Sequence, residues 1–142
     1  MASAEISNTL RQAVRARAAG SCEYCKTTER VSGLACQVDH IVPVTKGGQT
    51  HLENLCLACS ACNAYKGAAT SAFDRESNLS VPLFHPRQHI WSEHFSWDAE
   101  GTLIIGLTPT GRATIVTLRM NNLLIVSARR LWTSVGLHPP QT

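Results

Sequence analysis

Two Cys-x-x-Cys pairs, Cys22/Cys25 and Cys59/Cys62, constrain this chain more than any other feature. Together they can supply four thiolates to one tetrahedral zinc. The 33 residues between the pairs exceed the gap of a simple zinc ribbon. That gap has room for a strand, a loop and a return strand, so a zinc would clamp the entry and the exit of one segment. A four-cysteine site leaves no open coordination position; such a zinc adds folding energy and does not activate water. If the chain is a hydrolase, a second metal must do the chemistry.

The alternative use of six cysteines in 142 residues is a secreted disulfide scaffold. Met1 to Gly20 interleaves arginine with alanine and lacks the charged-then-apolar layout of a signal peptide. The expectation is a cytoplasmic protein, where paired cysteines are more often metal ligands than disulfides. Cys36 and Cys56 fall outside the pairs, in apolar contexts, and read as small buried hydrophobes. No stretch reaches the roughly 18 apolar residues of a membrane span, so no membrane partner is expected. A formal charge of +3 permits a polyanionic partner without requiring one.

The chain reads as one α+β domain, 1–142, in three pieces. Residues 1–20 hold a helix from about Ser7 to Ala19, with Ser7 as N-cap, Gly20 as stop, and Ile6, Leu10 and Val14 on one apolar face. In 21–67, Leu34 to Val42 reads as a strand, Pro43 and Gly47-Gly48 as a turn or loop, Leu52 to Leu57 as a return strand, and a short helix begins near Ser60. The third piece, 68–142, is a packed extension. Its Ser71 to Pro86 stretch reads as irregular, Trp91, Phe95 and Trp97 as packing residues, and Thr102 to Leu107 as a strand. A helical pattern then starts at Thr108-Pro109 and runs to about Val135, broken at Asn121-Asn122.

Between and after the knuckles stand Asp39-His40-Ile41-Val42-Pro43, Lys46-Gly47-Gly48, Leu52-Glu53-Asn54-Leu55, Cys59-x-x-Cys62-Asn63 and Lys66-Gly67. In this order the residues resemble the HNH endonuclease family, whose fold is a ββα-metal unit. The resemblance covers about residues 20 to 67. It implies a zinc-bound ββα-metal core, with the N-terminal helix and the C-terminal strand/helix extension packed around it. Phe84-His85-Pro86-Arg87 and Trp91-x-x-His94-Phe95-x-Trp97, with Leu107 to Arg112, resemble small bacterial members too. The activity implied is metal-dependent DNA cleavage leaving a 5′-phosphate and a 3′-hydroxyl. The resemblance also implies Asp39 and Asn63 as ligands of the catalytic metal, and Asn54 as a residue that holds the loop and orients His40. The third position of the motif, commonly His, is Asn63 here; members with Asn at this place exist.

The chemistry stands beside the resemblance. Phosphodiester hydrolysis needs a nucleophile at neutral pH and a neutraliser of developing charge. His titrates near neutrality, which suits His40 to act as general base on water. Asp39 offers a carboxylate and Asn63 an amide oxygen, donors that suit Mg²⁺ or Mn²⁺. Neighbours on a strand point to opposite faces, so Asp39 and His40 serve one site only where the strand ends or kinks. Each residue alone has a plainer reading as a structural histidine, turn residue, helix cap or surface charge; the joint arrangement favours catalysis. His51, His85, His89 and His94 lack such a frame and read as structural or surface residues.

Candidate phosphate contacts are Lys46, Lys66, Arg11 and Arg15; such contacts position a duplex without reading its sequence. For Arg11 and Arg15, on one helix face, a solvated surface is the plainer reading. One site per chain suits nicking, or double-strand cutting by a homodimer. The main alternative is a noncatalytic zinc-bound DNA-binding module, which needs the cysteines but not Asp39 and His40. A zinc-stapled protein-interaction domain, presenting Trp91, Trp97 or Trp132, is the third.

Overall fold

The computed structural model describes residues 5–140. The first helix, α1 (Asn8–Ala18), begins where the Ser7 side chain accepts a hydrogen bond from the Leu10 N–H, and stops as Ala19 and Gly20 turn left-handed. One face buries Val14 completely, with Ile6 and Leu10 at the edge of the same core. That face lies against an antiparallel pair, β1 (Gln37–His40) and β2 (Leu55–Ala58), in which Asp39 sits opposite Cys56 and His40 opposite Leu55. All four residues of β2 are fully buried. Leu55 and Leu57 each contribute roughly 2 kcal/mol by leaving water.

Both strands are shorter than the sequence suggested. A single helical turn, α2 (Glu29–Ser32), and an extended stretch precede β1. Glu29 fixes this approach by pairing with Arg15 at 2.5 Å and accepting the Cys36 N–H at 2.7 Å. Before β2, Leu52–Asn54 form a 3-10 turn rather than extended chain. The segment then closes with α3 (Ser60–Lys66), which packs on β1.

The stretch Ser71 to Pro86 corrects the sequence reading. It holds a hairpin, β3 (Ser71–Asp74) and β4 (Leu79–Pro82), with Asp74 opposite Leu79. Its strands are mostly exposed, so they carry little of the apolar alternation that marks a strand in sequence. Tertiary contacts hold it instead: Arg112 reaches the Asp74 carboxylate with both Nε, at 3.2 Å, and a terminal nitrogen, at 3.0 Å. This pairing holds the Asp74 carboxyl well below the usual carboxylate range.

A helical turn, α4 (Trp91–His94), leads into a third pair, β5 (Phe95–Trp97) and β6 (Ile104–Gly106). Trp91, Phe95 and Trp97 pack as expected, with ring centroids 5.1 and 5.9 Å apart. Two helices end the chain, α5 (Pro109–Thr117) and α6 (Leu123–Ser134). Thr108 caps α5 with Pro109 in its first turn, and Asn122 caps α6. The neighbouring Asn121 uses its amide on both polar groups of Ile104, so the break at Asn121-Asn122 also fastens the helices to β6. Gly111 permits a close approach: a Cβ there would lie 2.1 Å from the His94 carbonyl oxygen. No helix among the described residues is long and apolar enough to cross a membrane.

Candidate active site and metal centre

The β1–β2 pair carries two centres, one at each end. At the first, Cys22 and Cys25 from the loop after α1 meet Cys59 and Cys62 from the start of α3. Their sulfurs all lie within 4.8 Å of one another, and Cys25 Sγ is 3.7 Å from Cys59 Sγ. A tetrahedral zinc with Zn–S bonds of about 2.3 Å places its sulfurs about 3.8 Å apart, so the cradle fits the ion. Backbone N–H groups within each knuckle point at sulfur, from Cys25 to Cys22 and from Cys62 to Cys59. Burial pushes the Cys22 thiol up, and the adjacent Cys22 sulfur does the same to Cys62. Four cysteine sulfurs gathered at this spacing form a site that could hold a metal cation. Cys36 and Cys56 stay outside the cluster as buried thiols, each pushed up to about 12 by burial.

At the other end β1 stops at His40 and the chain bends through Ile41 and Val42. Asn54 makes this bend. Its Oδ1 accepts the Val42 N–H at 2.9 Å, and its Nδ2 donates to the carbonyls of Val42, at 3.0 Å, and Gln49, at 2.9 Å. Asn54 thus grips the loop by its backbone, without a hydrogen bond to the His40 ring among the described residues. The partner of that ring is Thr50, whose Oγ1 lies 2.9 Å from His40 Nε2. Sequence reasoning passed over Thr50, which lies ten residues away in a loop whose path only the fold defines.

Gly48 is required by space. A Cβ there would sit 1.8 Å from the Val42 carbonyl oxygen and 2.8 Å from Asn54 Nδ2. Asn63 follows the second knuckle in α3, which packs on β1, the strand of Asp39. Its Nδ2 donates to Gln37 Oε1 at 2.5 Å, which directs the amide nitrogen to Gln37 and leaves the amide oxygen without a side-chain or backbone partner among the described residues.

The expected phosphate contacts do not form one surface. Lys66 is 3% exposed, and its Nζ donates to the Ile41 carbonyl at 2.8 Å. Burial lowers its pKa, and the Asp39 carboxylate opposes that shift. Lys66 therefore braces the bend from below and offers no ammonium to a phosphate, which corrects the surface role read from sequence. Arg15 is committed to Glu29 and to the Cys36 carbonyl. Arg11 is exposed and bonds the Ile6 carbonyl at 3.1 Å. Lys46 is exposed at the end of a 3-10 turn, Val44–Lys46, in the loop after the bend. Missed in sequence was Arg17, which donates to the Leu52 and Leu55 carbonyls and ties α1 to the segment containing Asn54.

His51 is exposed and pairs with Gln49. His85, His89 and His94 stand beside Phe84, with the rings of His89 and His94 5.0 Å apart. They form no three-ligand metal group among the described residues.

Two antiparallel strands, a bent loop between them and a helix after them, framed by a four-sulfur cradle that could hold a metal ion, define a ββα unit. Residues 22–69, about a third of the chain, match the family model described as HNH endonuclease. No curated protein and no solved structure matched the chain.

Proposed function

We propose that the protein is a metal-dependent DNA endonuclease, with His40 as general base, Asp39 and Asn63 as ligands of a catalytic Mg²⁺ or Mn²⁺, and zinc in the four-cysteine cradle. The observation that carries this reading is the loop that follows β1 at His40, gripped by Asn54 and meeting the imidazole through Thr50, inside the span that matches the HNH endonuclease model.

The hydrogen bonds suggest how the residues share the work. The His40 tautomer with its proton on Nε2 donates to Thr50 Oγ1. That leaves Nδ1 free to take a proton from an attacking water. Gln37 holds the Asn63 amide so that its oxygen is the available donor. A divalent cation bound by Asp39 and Asn63 would supply charge stabilisation at the phosphate and the leaving oxygen. Asn54, Gly48 and Lys66 hold the loop, from the side chain, from close backbone packing and from beneath. Lys46 is the exposed cation best placed by sequence and loop position to meet a phosphate. One such centre per chain nicks one strand; a homodimer would cut both.

The test is nicking of supercoiled plasmid in Mg²⁺ or Mn²⁺ by the wild type and by His40→Ala. The variant should keep its zinc and its fold and lose cleavage by at least about 100-fold, the scale of general-base catalysis. A His40→Ala protein that cuts as fast as the wild type overturns the mechanism. If the variant and the wild type both bind DNA and neither cuts, the noncatalytic module is correct.

A further inference from the structure

The C-terminal helix sends one side chain back to the metal cradle. Arg129 of α6 is 0% exposed. One terminal nitrogen donates to the Thr102 carbonyl, at 3.0 Å, and to Asn121 Oδ1, at 3.1 Å; the other donates to the Met120 carbonyl, at 2.7 Å. Its guanidinium also lies over the Trp97 ring, 5.2 Å from the centroid. All of these partners are neutral. None of the ion pairs among the described residues includes Arg129. Asp98, next to Trp97, is occupied by the Thr102 and Leu103 N–H groups. A buried cation without an anion costs several kcal/mol, so the fold must supply the missing charge elsewhere.

The cradle lies on the same groove: Arg129 lines a cavity of about 440 Å³ together with Cys25, Cys59 and Cys62. Four thiolates around one Zn²⁺ leave a dianion. A second cation approaches from the knuckle itself. Lys26 follows Cys25 in a left-handed turn with φ 66, lies half-buried with its ammonium 5.4 Å from the Trp91 centroid, and has no ion-pair partner among the described residues.

We propose that Lys26 and Arg129 are the counter-ions of the zinc–tetrathiolate dianion, so that zinc loading and the docking of α6 depend on each other. This goes beyond cleavage chemistry and rests on the reading of the cradle as a zinc site. Residues around a metal's own ligands commonly set its affinity by about 10- to 100-fold, and a buried counter-charge belongs to that class. Zinc would thereby hold the C-terminal extension as well as the two knuckles.

Zinc affinity is read by competition with a chromophoric chelator in the full-length chain. Lys26→Gln and Arg129→Met should each weaken zinc by about 10-fold or more, and Lys26→Glu should weaken it further than Lys26→Gln. Arg129→Lys, which keeps the charge, should recover most of the loss. Cobalt substituted for zinc should retain a four-thiolate spectrum in each, showing that the ligands are unchanged. In the wild type, zinc removal should speed amide exchange across residues 123–134. Wild-type affinity in both Lys26→Gln and Arg129→Met overturns the proposal, as does an Arg129→Lys chain as weak as Arg129→Met, which would make the role one of shape. Should Arg129→Met not fold, the Lys26 pair decides alone, because that side chain is half-buried and makes no buried hydrogen bond. A wild-type chain that takes up no zinc refutes the four-thiolate reading itself, a different result from altered affinity in the variants.

Discussion

Gly47 and Gly48 are adjacent, yet replacing each with alanine should have opposite consequences. At Gly48 the new Cβ would start 1.8 Å from the Val42 carbonyl oxygen, whereas real contacts of this kind do not fall below 3.0 Å. The two backbones must therefore separate by about 1.2 Å, which is the difference between those distances. Val42 is the residue that Asn54 grips, with bonds of 2.9 and 3.0 Å. The same displacement would stretch both to about 4 Å and remove about 2 kcal/mol from the loop, at about 1 kcal/mol per hydrogen bond. A shift of about 1 Å near reacting atoms costs on the order of 100-fold in rate. At Gly47 a Cβ meets nothing within 4 Å, and the only penalty is its φ of 87, a strain of about 1 kcal/mol. Initial nicking rates at saturating Mn²⁺ should thus fall about 100-fold in Gly48→Ala and change by less than about threefold in Gly47→Ala. Both chains should hold zinc like the wild type, since the cradle lies at the far end of the strand pair. Equal rates for the two variants would refute the reasoning, because it depends on the close approach of Gly48 to Val42.

The remaining predictions concern other parts of the molecule. Thr50→Val removes the hydroxyl at His40 Nε2 with little change of volume; the cleavage rate should drop about 10-fold, the worth of one orienting hydrogen bond of about 1.4 kcal/mol, and an unchanged rate and pH profile would contradict the tautomer assigned to His40. His138 is 7% exposed, edge-on to Trp97 at 4.6 Å, and burial pulls its pKa down to about 4. The unfolded chain binds that proton first as pH falls, so stability is full above about 6.5 and declines toward 4, by at most about 3 kcal/mol. Urea denaturation at pH 7 and pH 4.5 should show the loss in the wild type and a smaller one in His138→Phe; equal losses would show that other groups dominate acid sensitivity.

What could be read from sequence was what short-range chemistry decides. The cysteine spacing announced the cradle, Ser7 and Thr108-Pro109 announced two helix starts, and Asn121-Asn122 announced the break before α6, because each is built from residues a few positions apart. The β3–β4 hairpin was hidden because Phe73 and Leu79 are exposed and the pair is tied down by Arg112, 38 residues beyond Asp74. Lys66 looked like a surface cation since nothing local indicates that the Ile41 carbonyl waits above it. Arg129 and His138 are buried polar groups whose surroundings come from distant segments, and no periodicity marks them. Thr50 was obscured by its setting in a loop whose path Asn54 and Gly48 determine.

The proposed function separates two metals: a closed zinc that would hold the fold, and a hard cation at Asp39 and Asn63 that would support cutting. It is tested by loading the chain with zinc alone, removing every other ion, and following plasmid nicking as Mn²⁺ is added. Zinc-loaded protein should not nick until Mn²⁺ is present, and Asp39→Ala, still carrying about one zinc per chain, should not nick at any Mn²⁺ concentration. Cleavage by the zinc-only protein, or Mn²⁺-dependent cleavage that survives Asp39→Ala, would contradict it.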